Sequence, residues 1–212
     1  MDRDVPPDTI LATFALGCFW RPDALFGALD GVVRTRVGYA GGTTATPSYD
    51  DIGDHIEAVQ VEYDPSALDY DRLLDFFWAN HDPTRAPFKR QYQSALFPHT
   101  EAQLEQARVS VATVADRLDA SLSTEVIADA PFYRAEAYHQ KHKLRHHSEL
   151  MQAFRAIYSD EKALTNSPSA TLVNGYVGGH RAPHHLDDDL PRLGLPPAAT
   201  NTLRALVAGT HS

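Results

Sequence analysis

Leu11-Ala12-Thr13-Phe14-Ala15-Leu16-Gly17-Cys18-Phe19-Trp20-Arg21-Pro22-Asp23-Ala24-Leu25-Phe26-Gly27-Ala28-Leu29 is the stretch that sets the reading of this chain. Leu11 to Leu16 reads as a strand and Pro22 to Leu29 as a helix, with the only cysteine, Cys18, at their junction. Pro22 suits a first helical turn, where a missing N–H costs nothing. A thiol at such a junction faces the unpaired N–H groups of the helix start. Their partial positive charge favours thiolate, the nucleophilic form. Against this stands the ordinary role of a free cysteine as a small buried hydrophobe.

Outward from this stretch, Val32 to Tyr39 is β-branched and reads as a strand, followed by a flexible Gly41-Gly42-Thr43-Thr44 loop. Ala58 to Tyr63 alternates as a half-buried strand does. Tyr70 to His81 carries Leu73, Leu74, Phe76, Phe77 and Trp78 at helical spacing. Ser94 to Phe97 reads as a short strand, and His99 to Asp119 as a helix with Leu104, Ala107, Val111, Val114 and Leu118 on one face. A strand over Ser123 to Ala128 and a helix over Tyr138 to Tyr158 follow. This order is an α+β pattern: a mixed or antiparallel sheet with helices packed on it, as in split βαβ folds. Beyond Asp160, Pro168, Pro183, Pro191, Pro196 and Pro197 join a Gly-rich Asn174 to His180 and an acidic Asp187-Asp188-Asp189. We read a domain over residues 1–160 and an irregular extension over 161–212 wrapped on it, with a short helix at Ala198 to Ala208.

The 212 residues are 43% hydrophobic, enough for one good core. Acidic residues outnumber basic ones by 28 to 19, for a net charge of −9. No basic stripe points to nucleic acid or an anionic membrane. The N-terminal Met1 to Pro7 lacks a signal peptide's apolar segment, and one cysteine cannot form an internal disulfide. The expectation is a cytoplasmic monomer with neither nucleic-acid nor membrane partner.

Four further groups draw attention. Glu57, at a strand start, reads by itself as an exposed carboxylate; buried beside Cys18 it would hold a proton at neutral pH and could donate it. Tyr49 and Tyr92 read as packing residues, or as O–H donors to a substrate oxygen. His81-Asp82-Pro83-Thr84 reads as a helix stop and turn. His139, His142 and His146 lie on one face if the segment is helical, which permits a metal site. Lys141, Lys143 and Arg145 around them instead suggest a solvated basic helix, and no metal is expected.

Taken together, the residues resemble the A-type peptide methionine sulfoxide reductases. The resemblance runs from Ala12 to Gln140. It rests on Gly17-Cys18-Phe19-Trp20 with Asp23 and Phe26, Val37 to Gly42, Pro47-Ser48-Tyr49, and His55-Ile56-Glu57. Tyr63-Asp64-Pro65, Phe77 to Thr84, Gln91 to Ala95 and Pro131 to Gln140 complete it. It implies a ferredoxin-like α+β fold and reduction of methionine S-sulfoxide, free or in peptides. Cys18 would attack sulfur, Glu57 would protonate oxygen, and Tyr49 and Tyr92 would hold that oxygen. Phe19 and Trp20 would form the slot for the S-methyl group. The product on Cys18 is a sulfenic acid. The resemblance implies no bound cofactor, only an external thiol reductant: thioredoxin, glutaredoxin or a low-molecular-weight thiol.

The chain departs from the family pattern. Pro87 stands where an Asp usually precedes the Tyr by five residues, in a shortened loop. Gln93 replaces an Arg, and Arg21 replaces the Gly after Phe-Trp. The resolving cysteines that many members keep near the C-terminus are missing from this tail. The altered loop leaves open a reductase of another small sulfoxide. A non-enzymatic redox-sensing thiol protein is a third reading. It has no need of a proton donor or an oxygen clamp.

Overall fold

The computed structural model describes Asp2 and residues 5–209. Met1, Arg3 and Asp4 of the N-terminal segment and Thr210, His211 and Ser212 of the 161–212 extension lie outside the described residues.

Strand β1 (Ile10–Leu16) is buried through its middle, because it pairs on both edges and is covered on both faces. It leads into α1 (Trp20–Gly27), which starts two residues earlier than Pro22. Then come β2 (Val32–Ala40), β3 (Ile56–Tyr63), α2 (Tyr70–Ala79) and β4 (Ser94–Phe97). Within the sheet these strands lie in the order β4-β1-β3-β2, all antiparallel, which is the split βαβ arrangement. Two short strands extend the edges. Glu125–Val126 (β5) runs parallel to β4, and Phe132–Arg134 (β6) pairs with β2. The second was not foreseen, since three residues after a proline carry no periodicity. Gly38 is required there: a Cβ would lie 2.3 Å from the Tyr133 carbonyl oxygen.

Helix α2 starts at Asp69, whose carboxylate accepts the Arg72 N–H, and lays Leu73, Leu74 and Phe77 against Phe14 and Phe26. Phe14 stacks on Phe26 at 4.9 Å and meets Phe77 at 5.7 Å. Each such buried ring contributes about 1.5–3 kcal/mol. Helix α3 (Glu101–Leu118) buries only Gln103, Ala107 and Val114 fully; Leu118 is exposed, so its apolar face is narrower than the spacing implied.

The segment Tyr138 to Tyr158 is not one helix. A 3₁₀ turn (Ala137–His139), α4 (His142–Arg145) and α5 (Ser148–Ile157) replace it, broken at Lys141, which has φ +54°. The three histidines therefore do not share a helix face. Nor is Lys141 solvated. It is fully buried, its Nζ 2.9 Å from Asp23 Oδ1 and 2.7 Å from the Thr35 carbonyl. Asp23 also accepts from Thr35 Oγ1 at 2.5 Å, Lys141 N at 2.9 Å and Asn174 Nδ2 at 3.1 Å. This cluster fastens α1 to β2 and to the C-terminal helices.

The extension is helical rather than irregular: α6 (Glu161–Thr165), α7 (Pro168–Val177), α8 (Leu186–Leu193) and α9 (Pro197–Gly209). The prolines that read as loop stand mostly at helix starts. Pro168 follows the N-cap Ser167, Pro183 opens a 3₁₀ turn and Pro197 opens α9. The acidic triplet lies in the first turn of α8, where it complements the helix dipole. Gly175 lets α7 approach Ala28 closely, as a Cβ there would sit 3.0 Å from its Cα. Leu150, Phe154, Val173, Tyr176, Leu193, Leu203 and Val207 form a second core between these helices. Among the described residues, no helix is long and apolar enough to cross a membrane.

Candidate active site

The turn from β1 into α1 passes through Gly17 at φ +84°, a left-handed conformation that favours glycine. It leaves Cys18 exposed at the start of α1, which removes the buried-hydrophobe reading. The Phe19 N–H reaches Glu57 Oε2 at 3.0 Å, and the Trp20 N–H favours the ionised form of the sulfur. Glu57, the second residue of β3 and opposite Tyr39 of β2, is 1% exposed. It is not the solvated strand-end carboxylate that its position suggested. Gln91, from the 3₁₀ turn Arg90–Tyr92, donates its amide to Glu57 Oε1 at 2.5 Å, and the Cys18 thiol lies near enough for the carboxylate charge to act on it.

Burial pushes the Glu57 carboxyl above its ordinary value, and the N–H, amide and thiol donors only partly pull it back. The thiol is also shifted upward. Partial desolvation of the sulfur by the protein packed behind it is the main cause, although the residue is open to solvent, and the nearby Glu57 charge adds to it. The Trp20 N–H and Lys143 pull the other way without winning. So the helix start does act on Cys18 as its position implied, but it does not by itself make a free thiolate.

Phe19 is buried, 5.0 Å from the His139 ring and 6.0 Å from Tyr39. Trp20 is clamped: it lies flat on His142 at 3.7 Å and donates Nε1–H to His139 Nδ1 at 3.0 Å. That bond leaves the His139 proton on Nε2. Tyr49 lies over His139 at 4.6 Å, its N–H on Glu136 at 3.0 Å. Burial raises the Tyr92 hydroxyl, with help from the charges of Glu57, Tyr49 and Cys18, so it stays a donor. Arg21 is exposed, its guanidinium held at the end of α2 by the Asn80 carbonyl at 3.2 Å.

Gln91 and His139 were not assigned site roles from the sequence. Gln91 lies inside the Gln91 to Ala95 motif, but an amide has no chemistry to flag it. His139 was read only as one of a histidine series. Among the described residues, no group of histidine, cysteine and acidic side chains could hold a metal ion.

An accessible thiol against a buried carboxyl that tends to keep its proton equips a thiol-based, acid-assisted oxidoreductase. The comparisons with known proteins specify the class. A family model described as peptide methionine sulfoxide reductase matches residues 11–172. The peptide methionine sulfoxide reductase of Drosophila melanogaster is 39% identical over 197 residues, covering 92% of this chain and 79% of that protein. Peptide methionine sulfoxide reductase A5 of Arabidopsis thaliana is 41% identical over 198 residues, covering 87% and 77%. Among solved structures, methionine sulfoxide reductase A of Corynebacterium diphtheriae superposes with a TM-score of 0.61 at 32% identity, covering 70% of this chain and 78% of that one. The chain belongs to the peptide methionine sulfoxide reductase family.

Proposed function

We propose that this protein reduces methionine S-sulfoxide, peptide-bound or free, to methionine through Cys18. The observation that carries the reading is the exposed Cys18 beside the buried Glu57, whose carboxylate accepts the N–H of the next residue, Phe19, at 3.0 Å. A sulfoxide oxygen leaves poorly unless protonated, so a neutral acid is needed beside the nucleophile. With its proton on Glu57, the pair loses the negative charge that adds to the upward shift of Cys18, while the desolvation remains. The Cys18 sulfur bonds to the substrate sulfur as Glu57 gives its proton to the oxygen, and the thiol proton returns to the Glu57 carboxylate. The hydroxyl then moves to Cys18 as the new S–S bond and the substrate S–O bond break, leaving a sulfenic acid on Cys18 and the free thioether. The substrate sulfur gains two electrons and Cys18 loses two. Tyr49 and Tyr92 hold the oxygen, and Phe19 and Trp20 receive the S-methyl group.

Cys18 is the only cysteine in these 212 residues, so an external thiol reduces the sulfenic acid. Thioredoxin, glutaredoxin and a low-molecular-weight thiol are the candidates. We place the protein in the cytoplasm as a monomer, with residues 1–160 as the catalytic domain and 161–212 as an extension that braces α1. Turnover assays on resolved S- and R-methionine sulfoxide test the reading. Reduction of the S epimer alone supports it, and no reduction of either refutes it.

A further inference from the structure

Phe88 lies in the shortened loop before the 3₁₀ turn and is 82% exposed, the most exposed large apolar side chain among the described residues. It buries too little to serve the fold. Its ring lies 5.3 Å from that of Tyr92, which follows Gln91, the donor to Glu57 Oε1, in the same 3₁₀ turn. Tyr49 and Tyr138 are also exposed, at 38% and 56%, and both rest on His139, the residue that holds Trp20. Single exposed apolar residues need no explanation, but this set is gathered around the mouth of one site. A methionine is normally packed among apolar neighbours, and oxidation makes it polar and loosens that packing. The segment that then reaches a reductase carries apolar side chains beside the sulfoxide.

We propose that Phe88, with Tyr92 behind it, is a subsite for an apolar side chain adjacent to methionine sulfoxide in a polypeptide. The proposal rests on the sulfoxide reductase reading. Its contact is made equally in the ground and transition states, so it acts on KM rather than kcat. Arg85, Lys89 and Arg90 lie in or beside the same loop, and acidic neighbours are therefore the competing choice.

The test measures kcat and KM for blocked peptides carrying methionine S-sulfoxide next to Leu, Ser or Asp, on either side, together with free methionine sulfoxide. Wild type, Phe88→Ala and Phe88→Leu are compared. Wild type should prefer the Leu peptide over the Ser peptide by about tenfold in kcat/KM, through KM. Phe88→Ala should bring that ratio near one, and Phe88→Leu should restore most of it. A ratio near one in wild type, or one that Phe88→Ala leaves intact, overturns the subsite. So does a wild-type preference for Asp, which assigns selection to the loop cations. An equal fall for all peptides in Phe88→Ala also overturns it, because Phe88 then only steadies Tyr92. Turnover of free sulfoxide with every peptide inert refutes the subsite alone. Turnover of nothing by wild type refutes the reductase reading and the subsite with it.

Discussion

Asp23 and Glu57 are both buried carboxylates that touch the thiol-bearing helix or its first residues, and they meet burial in different ways. Asp23 is saturated: Thr35, Asn174 and the Lys141 backbone N–H donate to it, and the Lys141 ammonium pairs with it at 2.9 Å. Glu57 accepts from the Phe19 N–H and the Gln91 amide and lies beside the Cys18 thiol, but those neighbours include no cation. A buried anion with a well-made ion pair is a fastening. One with neutral donors only is better off holding a proton, and beside a thiol that proton is available for chemistry. The same α+β frame thus carries a structural acid on one side of α1 and a reactive one at its start.

The comparison is tested most severely by removing the nucleophile. Cys18→Ser should abolish sulfoxide reduction, at least about a thousandfold, with the fold intact by circular dichroism. Glu57→Gln should follow, losing about two to four orders of magnitude in rate. In the wild type the rate should fall as pH rises through the raised Glu57 pKa, because the acid form is the donor; Glu57→Gln should lack that limb. Stability carries the opposite signature to an ordinary carboxylate. The folded state binds the Glu57 proton more tightly than the unfolded chain, so its contribution is present at low pH. It is lost as pH rises from the unfolded value of about 4.3 through the folded one. Urea titrations across that window should show this slope in wild type and not in Glu57→Gln.

Asp23→Asn should do the reverse, with a large effect on stability and a small one on chemistry. It strands the Lys141 ammonium, which burial already pushes below its ordinary value, at a cost of about 3–5 kcal/mol. The double variant with Lys141→Met should recover much of that loss. The smallest effect is expected from Gln91→Leu. Removing a donor to the carboxylate raises the Glu57 pKa further. The falling limb should move to higher pH by about one unit or less, with rate changed about tenfold or less.

Much of this site was legible before its geometry. Periodicity showed β1, α1 and their junction at Cys18, and the motif order from Gly17 to Gln140 pointed to the family. Burial was not legible. Glu57 stands at a strand start, which reads as solvated, and only the pairing with Tyr39 and the cover of Gln91 place it inside. Lys141 was misread for a related reason. A lysine in a basic run reads as exposed unless its partner, here Asp23, more than a hundred residues earlier in sequence, is known. The helical extension was misread because proline and glycine mark helix boundaries as well as loops. Pro168 after Ser167 is a start signal and Gly175 a packing contact. Local pattern reports element type well, and says little about which distant polar group will meet it.

The most direct test is a single turnover without reductant. Wild-type protein is mixed with excess methionine S-sulfoxide, and released methionine is counted while Cys18 is followed by mass spectrometry with a sulfenic-acid trap. About one equivalent of methionine and a trapped sulfenic acid on Cys18 are expected. Methionine released with Cys18 unmodified, or no methionine at all, would contradict it.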